Sequence, residues 1–151
     1  MTIRAATSAD DGFILGLVAR FSEFELPPGR DPATVTAALR RDLEMHLHER
    51  PLTSHFFVVR EAGERAGFVH LQLVDDFFGA GLLCHISDLA VARAHEGRGL
   101  ARQLLAHSEA FAREHRCARL TLGVFPGNLR ARELYARDGF EPDLLRLGKP
   151  L

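Results

Sequence analysis

A long apolar segment, Leu82 to Val91, leads through Glu96-Gly97-Arg98-Gly99-Leu100-Ala101 into an amphipathic stretch ending near His115. A second apolar segment, Ala118 to Phe125, follows. This order of strand, glycine turn, helix and strand limits the possible folds more than any other feature. Two strands of one sheet joined by a helix run parallel, and the crossover is right-handed. Gly97 and Gly99 accept backbone angles that other residues avoid, so the main chain can approach a ligand closely there. The first amides of the following helix lack intrahelical acceptors. Together with the helix dipole they make an anion cradle suited to phosphate. Arg98 and Arg102 add positive charge.

The glycines narrow the phosphate ligand only partly. A Walker loop needs Gly-Lys-Ser/Thr after its strand, and none occurs here. A dinucleotide fingerprint needs a third glycine early in a βαβ unit. Here that glycine is missing and the turn sits late in the chain. A nucleotide-binding fold using the same glycines is thus a distant reading. A plain glycine-rich turn is the bland one.

The remaining chain reads as alternating elements. Residues 2–6 suggest a short strand. Ser8 is placed to cap a helix with Ile14, Leu17, Val18 and Phe21 on one face. Pro27-Pro28-Gly29-Arg30 stops it. Asp31-Pro32 starts a second helix, with Val35, Leu39, Leu43 and Leu47 inward. His55 to Val59 and Gly67 to Val74 read as strands around a turn containing Gly63. In the second of them Val69, Leu71 and Leu73 share one side, and Phe68, His70 and Gln72 the other. Residues 75–81 form a loop. The helix from Arg98 to about His115 turns Leu104, Leu105, Phe111 and Ala112 inward. Asn128 to Asp138 is a helix stopped by Gly139. Phe140 to Leu147 reads as a last strand. The fold class is α/β, with a mixed, mostly antiparallel central sheet flanked by helices and hairpins in its middle. Residues 1–151 are expected to form a single domain.

Two spaced segments carry a family resemblance. Val91-Ala92-Arg93-Ala94-His95-Glu96-Gly97-Arg98-Gly99-Leu100-Ala101 resembles the acetyl-CoA-binding signature of the GNAT N-acetyltransferase superfamily, Gln/Arg-x-x-Gly-x-Gly/Ala after a strand ending in Leu-x-Val. Asn128 to Phe140 matches the family pattern Asn-x-x-Ala-x-x-Leu-Tyr-x-x-x-Gly-Phe at every fixed position. The opening, Ile3 to Asp10, is similar to the family's first strand and helix. Glu96 departs from the pattern: a carboxylate faces an anion cradle unfavourably, so its side chain is expected to turn from phosphate. The resemblance implies a sheet whose fourth and fifth strands splay into a slot for the pantetheine arm of acetyl-CoA. It also implies direct transfer of acetyl from acetyl-CoA to a primary amine of a small molecule or protein.

Roles follow from that resemblance. Amides from Gly97 to Arg102 would take the pyrophosphate, and backbone groups at Leu89 and Val91 would pair with pantetheine as an added strand does. Asn128 is expected to contact the same arm or cap its helix. The cofactor-binding set is then Leu89, Ala90, Val91, Glu96, Gly97, Arg98, Gly99, Leu100, Ala101, Arg102 and Asn128. Tyr135, the only tyrosine, is the expected general acid toward sulfur; otherwise it is a core tyrosine with its hydroxyl at the rim. A free amine has a pKa near ~10, so a base must take its proton. Strict alternation puts His85 and Ser87 on the face with Leu89. That makes His85 the first choice of base, against a histidine bonded within the sheet, and leaves Asp88 structural on the other face. The oxyanion is expected to meet an amide near Leu89 or Ala90, exposed by a bulge. Selectivity is assigned to Glu23, Phe24 and Glu25 and to Asp75, Asp76, Phe77 and Phe78, where acidic and aromatic groups suit a cationic amine.

Composition closes off other classes. Apolar residues make up 46% and charged residues 26%, so the chain can build a core. A net charge of −1 gives no case for nucleic acid. No apolar run approaches the roughly 18 residues of a membrane helix. No signal peptide is apparent, so a cytoplasmic protein is expected. Cys84 and Cys117 read as small buried residues, and the histidines show no metal spacing. The last segment would admit a homodimer through edge pairing. The competing function is a non-catalytic acyl-CoA-binding module on the same fold.

Overall fold

The computed structural model describes residues 1–151. Five strands form one sheet in chain order: β1 (Thr2–Ala5), β2 (Ser54–Glu61), β3 (Glu64–Asp75), β4 (Leu82–Val91) and β5 (Arg119–Leu122). β1 to β4 pair antiparallel, and β4 pairs with β5 in parallel. The helices are α1 (Asp11–Gly16), α2 (Pro32–Glu49), α3 (Leu100–Glu114) and α4 (Leu129–Arg137). The expected mixed, mostly antiparallel sheet with its β4–α3–β5 crossover is present.

Alternation along β3 divides the core into two layers. Val69 and Leu71 face α3, packing with Cys84, Ile86, Leu104, Leu105 and Phe111. Phe68 faces the other way, with Ile14, Val18, Leu43, Leu47 and Phe56. The stripes expected on α2 and α3 point inward at Leu43, Leu47, Leu104, Leu105, Phe111 and Ala112. Burial pushes the Cys84 thiol up to about 12.

Three expectations need correction. The first helix is broken: a 3-10 turn over Ser8–Asp10 precedes α1, and another over Val18–Ser22 follows it. Thr7, not Ser8, precedes the opening turn, and its amide donates to the Asp10 carboxylate at 2.8 Å. The predicted last strand, Phe140 to Leu147, forms no strand. Leu144, Leu145 and Leu147 are exposed, and Asp143 is held by Arg119 at 3.0 Å rather than by a ladder. β5 is only four residues long, so it offers that segment little edge to pair with.

Candidate functional site

Pairing between β4 and β5 runs from Leu83 opposite Arg119 to Ile86 opposite Leu122. There β5 ends, while β4 continues to Val91. The strands part, and a cleft of about 1110 Å³ opens between them. Its walls are Ile86–Val91, the glycine turn, Leu122–Phe125, and α4 from Asn128 to Tyr135. Phe21, Glu23 and Phe24, ahead of α2, close one side. Phe24 meets Phe125 with ring centroids 6.1 Å apart. The backbone of Glu25 presses on Gly127 so closely that a Cβ there has no room.

The glycine turn is built as a cradle. Gly97 and Gly99 have φ of +73° and +76°, and a Cβ on either would meet no neighbour. The first hydrogen bond of α3 that reaches back across the turn runs from the Gln103 amide to the Gly99 carbonyl, 3.1 Å. The amides of Leu100, Ala101 and Arg102 therefore precede the helical ladder. Buried His95 fixes the turn from behind through Nδ1, 3.0 Å from Glu61. Arg98 donates to the same Glu61 at 2.8 Å. Glu96 faces the cleft between two guanidinium groups, Arg20 and Arg130, the latter at 2.9 Å. Those hydrogen bonds, Arg130 first, hold its carboxyl below the usual range.

Tyr135 sits across the cleft on α4. The Asn128 side chain caps that helix, its Oδ1 accepting from the Ala131 amide at 3.3 Å. Tyr135 lies about two turns in, half-buried against Phe140 at a centroid distance of 5.8 Å. Burial raises its phenol above the ordinary value, so it stays protonated and available as a donor.

A bulge in β4 redraws the expected faces. His70 opposes Asp88 but Leu71 opposes Ile86, leaving Ser87 as the extra residue. Beyond it the alternation is reset. His85 therefore shares its face with Asp88 and Ala90, not with Leu89. His85 lies outside the cleft wall, its Nδ1 2.8 Å from Thr121 Oγ1, and burial lowers its pKa, favouring the neutral ring. Asp88 does line the cleft, almost fully buried, with Oδ2 2.9 Å from His70 Nδ1. Ser87 accepts from Gln72 at 2.7 Å.

Of the predicted site residues, Leu89, Ala90, Val91, Glu96, Gly97, Gly99, Leu100, Ala101, Arg102, Asn128 and Tyr135 line one cleft. His85 and Arg98 do not. His85 stands where β4 still pairs with β5, opposite Thr121 and short of the opening, and Glu61 draws Arg98 away. Glu23 and Phe24 reach the cleft, but Asp75, Asp76, Phe77 and Phe78 do not. The latter group lies at the β3–β4 hairpin, the end of β4 remote from the cradle, with Phe77 and Phe78 exposed. The pair that sequence reasoning missed is Asp88 with His70. Its signal was a carboxylate and an imidazole inside two apolar strands, where a polar group needs a partner.

A family model described as the acetyltransferase (GNAT) family matches residues 19–140. The chain belongs to the GNAT family. A curated relative, the uncharacterized N-acetyltransferase YhfO of Bacillus subtilis (strain 168), is 28% identical over 143 residues, covering 95% of this chain and 91% of that protein. Two solved structures share the GNAT fold at 23% identity. A putative acetyl transferase from Pyrococcus furiosus covers 99% of both chains with a TM-score of 0.78. A GCN5-related N-acetyltransferase from Ralstonia eutropha JMP134 covers 99% of this chain and 97% of its own, with a TM-score of 0.77. No helix of this GNAT protein is long and apolar enough to cross a membrane. No group of three or more His, Cys, Asp or Glu residues is arranged to hold a metal ion.

Proposed function

We propose that the chain is an acetyl-CoA-dependent N-acetyltransferase acting on a primary amine of a small molecule or a protein by direct transfer. One observation carries this reading: a single cleft joins the free amides at Leu100–Arg102 to Tyr135 on one wall and Asp88 on the other. The cradle fits a diphosphate because both glycines leave open space where a side chain would stand. When bound, acetyl-CoA supplies an activated acyl group and a thiolate leaving group.

The chain's residues then divide the work. The amides of Leu100, Ala101 and Arg102 bind the diphosphate, with the α3 dipole behind them. The unpaired edge of β4 beyond Ile86 accepts an extended, amide-bearing arm as an added strand. Asn128 has its amide nitrogen free for the same arm, because its oxygen is used in the cap. Asp88 takes the ammonium proton, making the amine a nucleophile. It replaces His85 in that role because it is the titratable β4 side chain on the wall. Tyr135 gives its proton to the departing sulfur, a direction that burial of the phenol favours. Phe21, Phe24 and Glu23 bound the acceptor's side of the cleft.

Two measurements test the reading. Acetyl-CoA at a hundredfold excess over its Kd should stabilise the protein by about 2.7 kcal/mol, and Gly99→Glu should remove that shift. Coenzyme A release over a panel of amines should fall roughly 10²-fold in Tyr135→Phe, with the thermal shift kept. Binding with no release on any amine, and no effect of Tyr135→Phe, would make the chain an acyl-CoA-binding module instead.

A further inference from the structure

A line of polar side chains leaves the cleft along the face of the sheet that α2 covers. Asp88 Oδ2 lies 2.9 Å from His70 Nδ1, and His70 Nε2 lies 2.6 Å from Ser54 Oγ. Ser54 Oγ lies 3.1 Å from His46 Nδ1. His46 Nε2 is 3.8 Å from the exposed carboxylate of Asp42 on the same helix. His70 is fully buried, stacked on Phe56 with ring centroids 4.0 Å apart and meeting the His46 ring edge-on at 4.7 Å. Its surroundings are the apolar layer of Phe56, Phe68, Leu43 and Leu47. The line does not end in that layer. His46 and Ser54 open onto a second, smaller cavity of about 180 Å³, also lined by Arg50 and His55. That cavity shares no residue with the cleft.

We infer that Asp88, His70, Ser54 and His46 form a proton exit that runs from the acetyl-transfer cleft along the α2 face of the sheet to a separate opening. The inference rests on the proposed function, whose chemistry releases one proton per transfer. An ammonium and a thioester give an amide, a thiol and one proton: the C–N bond forms, the C–S bond breaks, sulfur takes its proton from Tyr135, one of the two protons that nitrogen loses restores the phenol, and the other leaves. Bound substrates stand between Asp88 and bulk water on the cleft side, whereas His46 faces a separate opening. Asp88 takes the ammonium proton and passes it to His70 Nδ1. The His70 Nε2 hydrogen moves to Ser54 Oγ, and the Ser54 hydroxyl hydrogen moves to His46 Nδ1. The His46 Nε2 hydrogen then leaves to Asp42 or water. One proton enters, one departs, and no net charge stays in the core. The line starts with hydrogen on Nε2 of both rings; once the product has left, the reverse shift into the open cleft, with rotation of the hydroxyl, restores that state. A purely structural network would satisfy its polar groups equally well closed at both ends; this one opens at both.

The charged and titratable groups around His70 come from three elements. Asp88 and His85 stand on β4, His46 with Asp42 on α2, and His55 on β2, on the other face of the sheet. Arg50, at the small cavity, is occupied by Asp11 at 3.0 Å. None of these bridges the gap left by removing the Ser54 hydroxyl.

Ser54→Ala therefore cuts the line at a position remote from the cleft, and Ser54→Thr restores the hydroxyl. The probes are acetyl-CoA and whichever amine gives the fastest coenzyme A release. Ser54→Ala should keep the acetyl-CoA thermal shift and KM but lower kcat about tenfold, most at the acidic end of the pH profile. Its solvent deuterium isotope effect should rise, and Ser54→Thr should recover most of the loss. The downfield imidazole N–H resonances of His70 and His46 should respond together to Asp88→Asn in the Ser54 protein, and only His70 should respond in Ser54→Ala. A Ser54→Ala protein with the full rate and an unshifted pH profile would overturn the exit while leaving the acetyltransferase reading intact. A wild-type protein that releases no coenzyme A on any amine would overturn the acetyltransferase reading and, with it, the exit.

Discussion

Glu96 holds an unusual place for a carboxylate, beside the proposed anion cradle. Its two partners, Arg20 and Arg130, come from opposite walls of the cleft. With Glu96 ionised, one carboxylate engages both guanidinium groups and offsets half of their charge before any ligand arrives. A glutamine keeps one acceptor for them and removes the negative charge. Glu96→Gln should therefore tighten acetyl-CoA binding about twofold to fivefold, since partly exposed charge pairs are worth under about 1 kcal/mol. The gain should shrink as salt rises, because exposed charges are screened. Calorimetric titration at two ionic strengths reads it; equal affinity for both proteins at low salt would show that the arginines do not reach the diphosphate.

β4 sets the site through its register, and Gly67 on β3 sets that register. A Cβ at Gly67 would stand 2.6 Å from the Ala90 carbonyl oxygen and 3.2 Å from Val91 Cα. Backbone cannot yield as a side chain tip does, so Gly67→Ala should move the cradle end of β4. A stability loss of about 1–3 kcal/mol is expected, with weaker acetyl-CoA binding in the folded fraction; urea unfolding and a binding isotherm measure the two. The bounds of β4 were legible in the sequence because an apolar run begins after Gly81 and ends ahead of the glycine turn. The cradle was legible because only glycine marks positive φ so plainly. The bulge was not: Ser87 is a residue any strand accepts, and the slip depends on how β3 and β4 pair. That single slip moved His85 off the face of Leu89, while its pairing with Thr121 keeps it short of the opening that Asp88 lines. The last segment misled for a related reason. Phe140 to Leu147 alternates well enough for a strand, but a strand needs a neighbour, and β5 stops at Leu122.

Across the whole molecule, acid should act in two stages. Asp10 ties the start of the chain together: Arg4 donates to it at 2.7 and 2.9 Å, Arg65 at 2.7 Å and the Thr7 amide at 2.8 Å. The Arg4 hydrogen bonds, then those of Thr7 and Arg65, hold this fully buried carboxyl well below the ordinary range. A depressed carboxyl binds fewer protons folded than unfolded, so its contribution is complete above the unfolded value near ~4 and fades as pH falls further. His55, His85 and His107 are lowered by burial, and the Nε2 atoms of His55 and His107 are buried without a partner. Folding keeps these rings neutral, so their contribution is complete above about 6.5 and starts to fade below it. The melting temperature should thus decline first below pH 6.5 and again below pH 4. Asp10→Asn should cost about 1–3 kcal/mol at neutral pH and flatten the second decline, whereas His107→Leu should soften the first. Melting curves at pH 7, 5 and 3 separate these cases. If Asp10→Asn stays below the wild type by the same margin at pH 3 as at pH 7, its carboxylate is not what links β1, β3 and the opening turn.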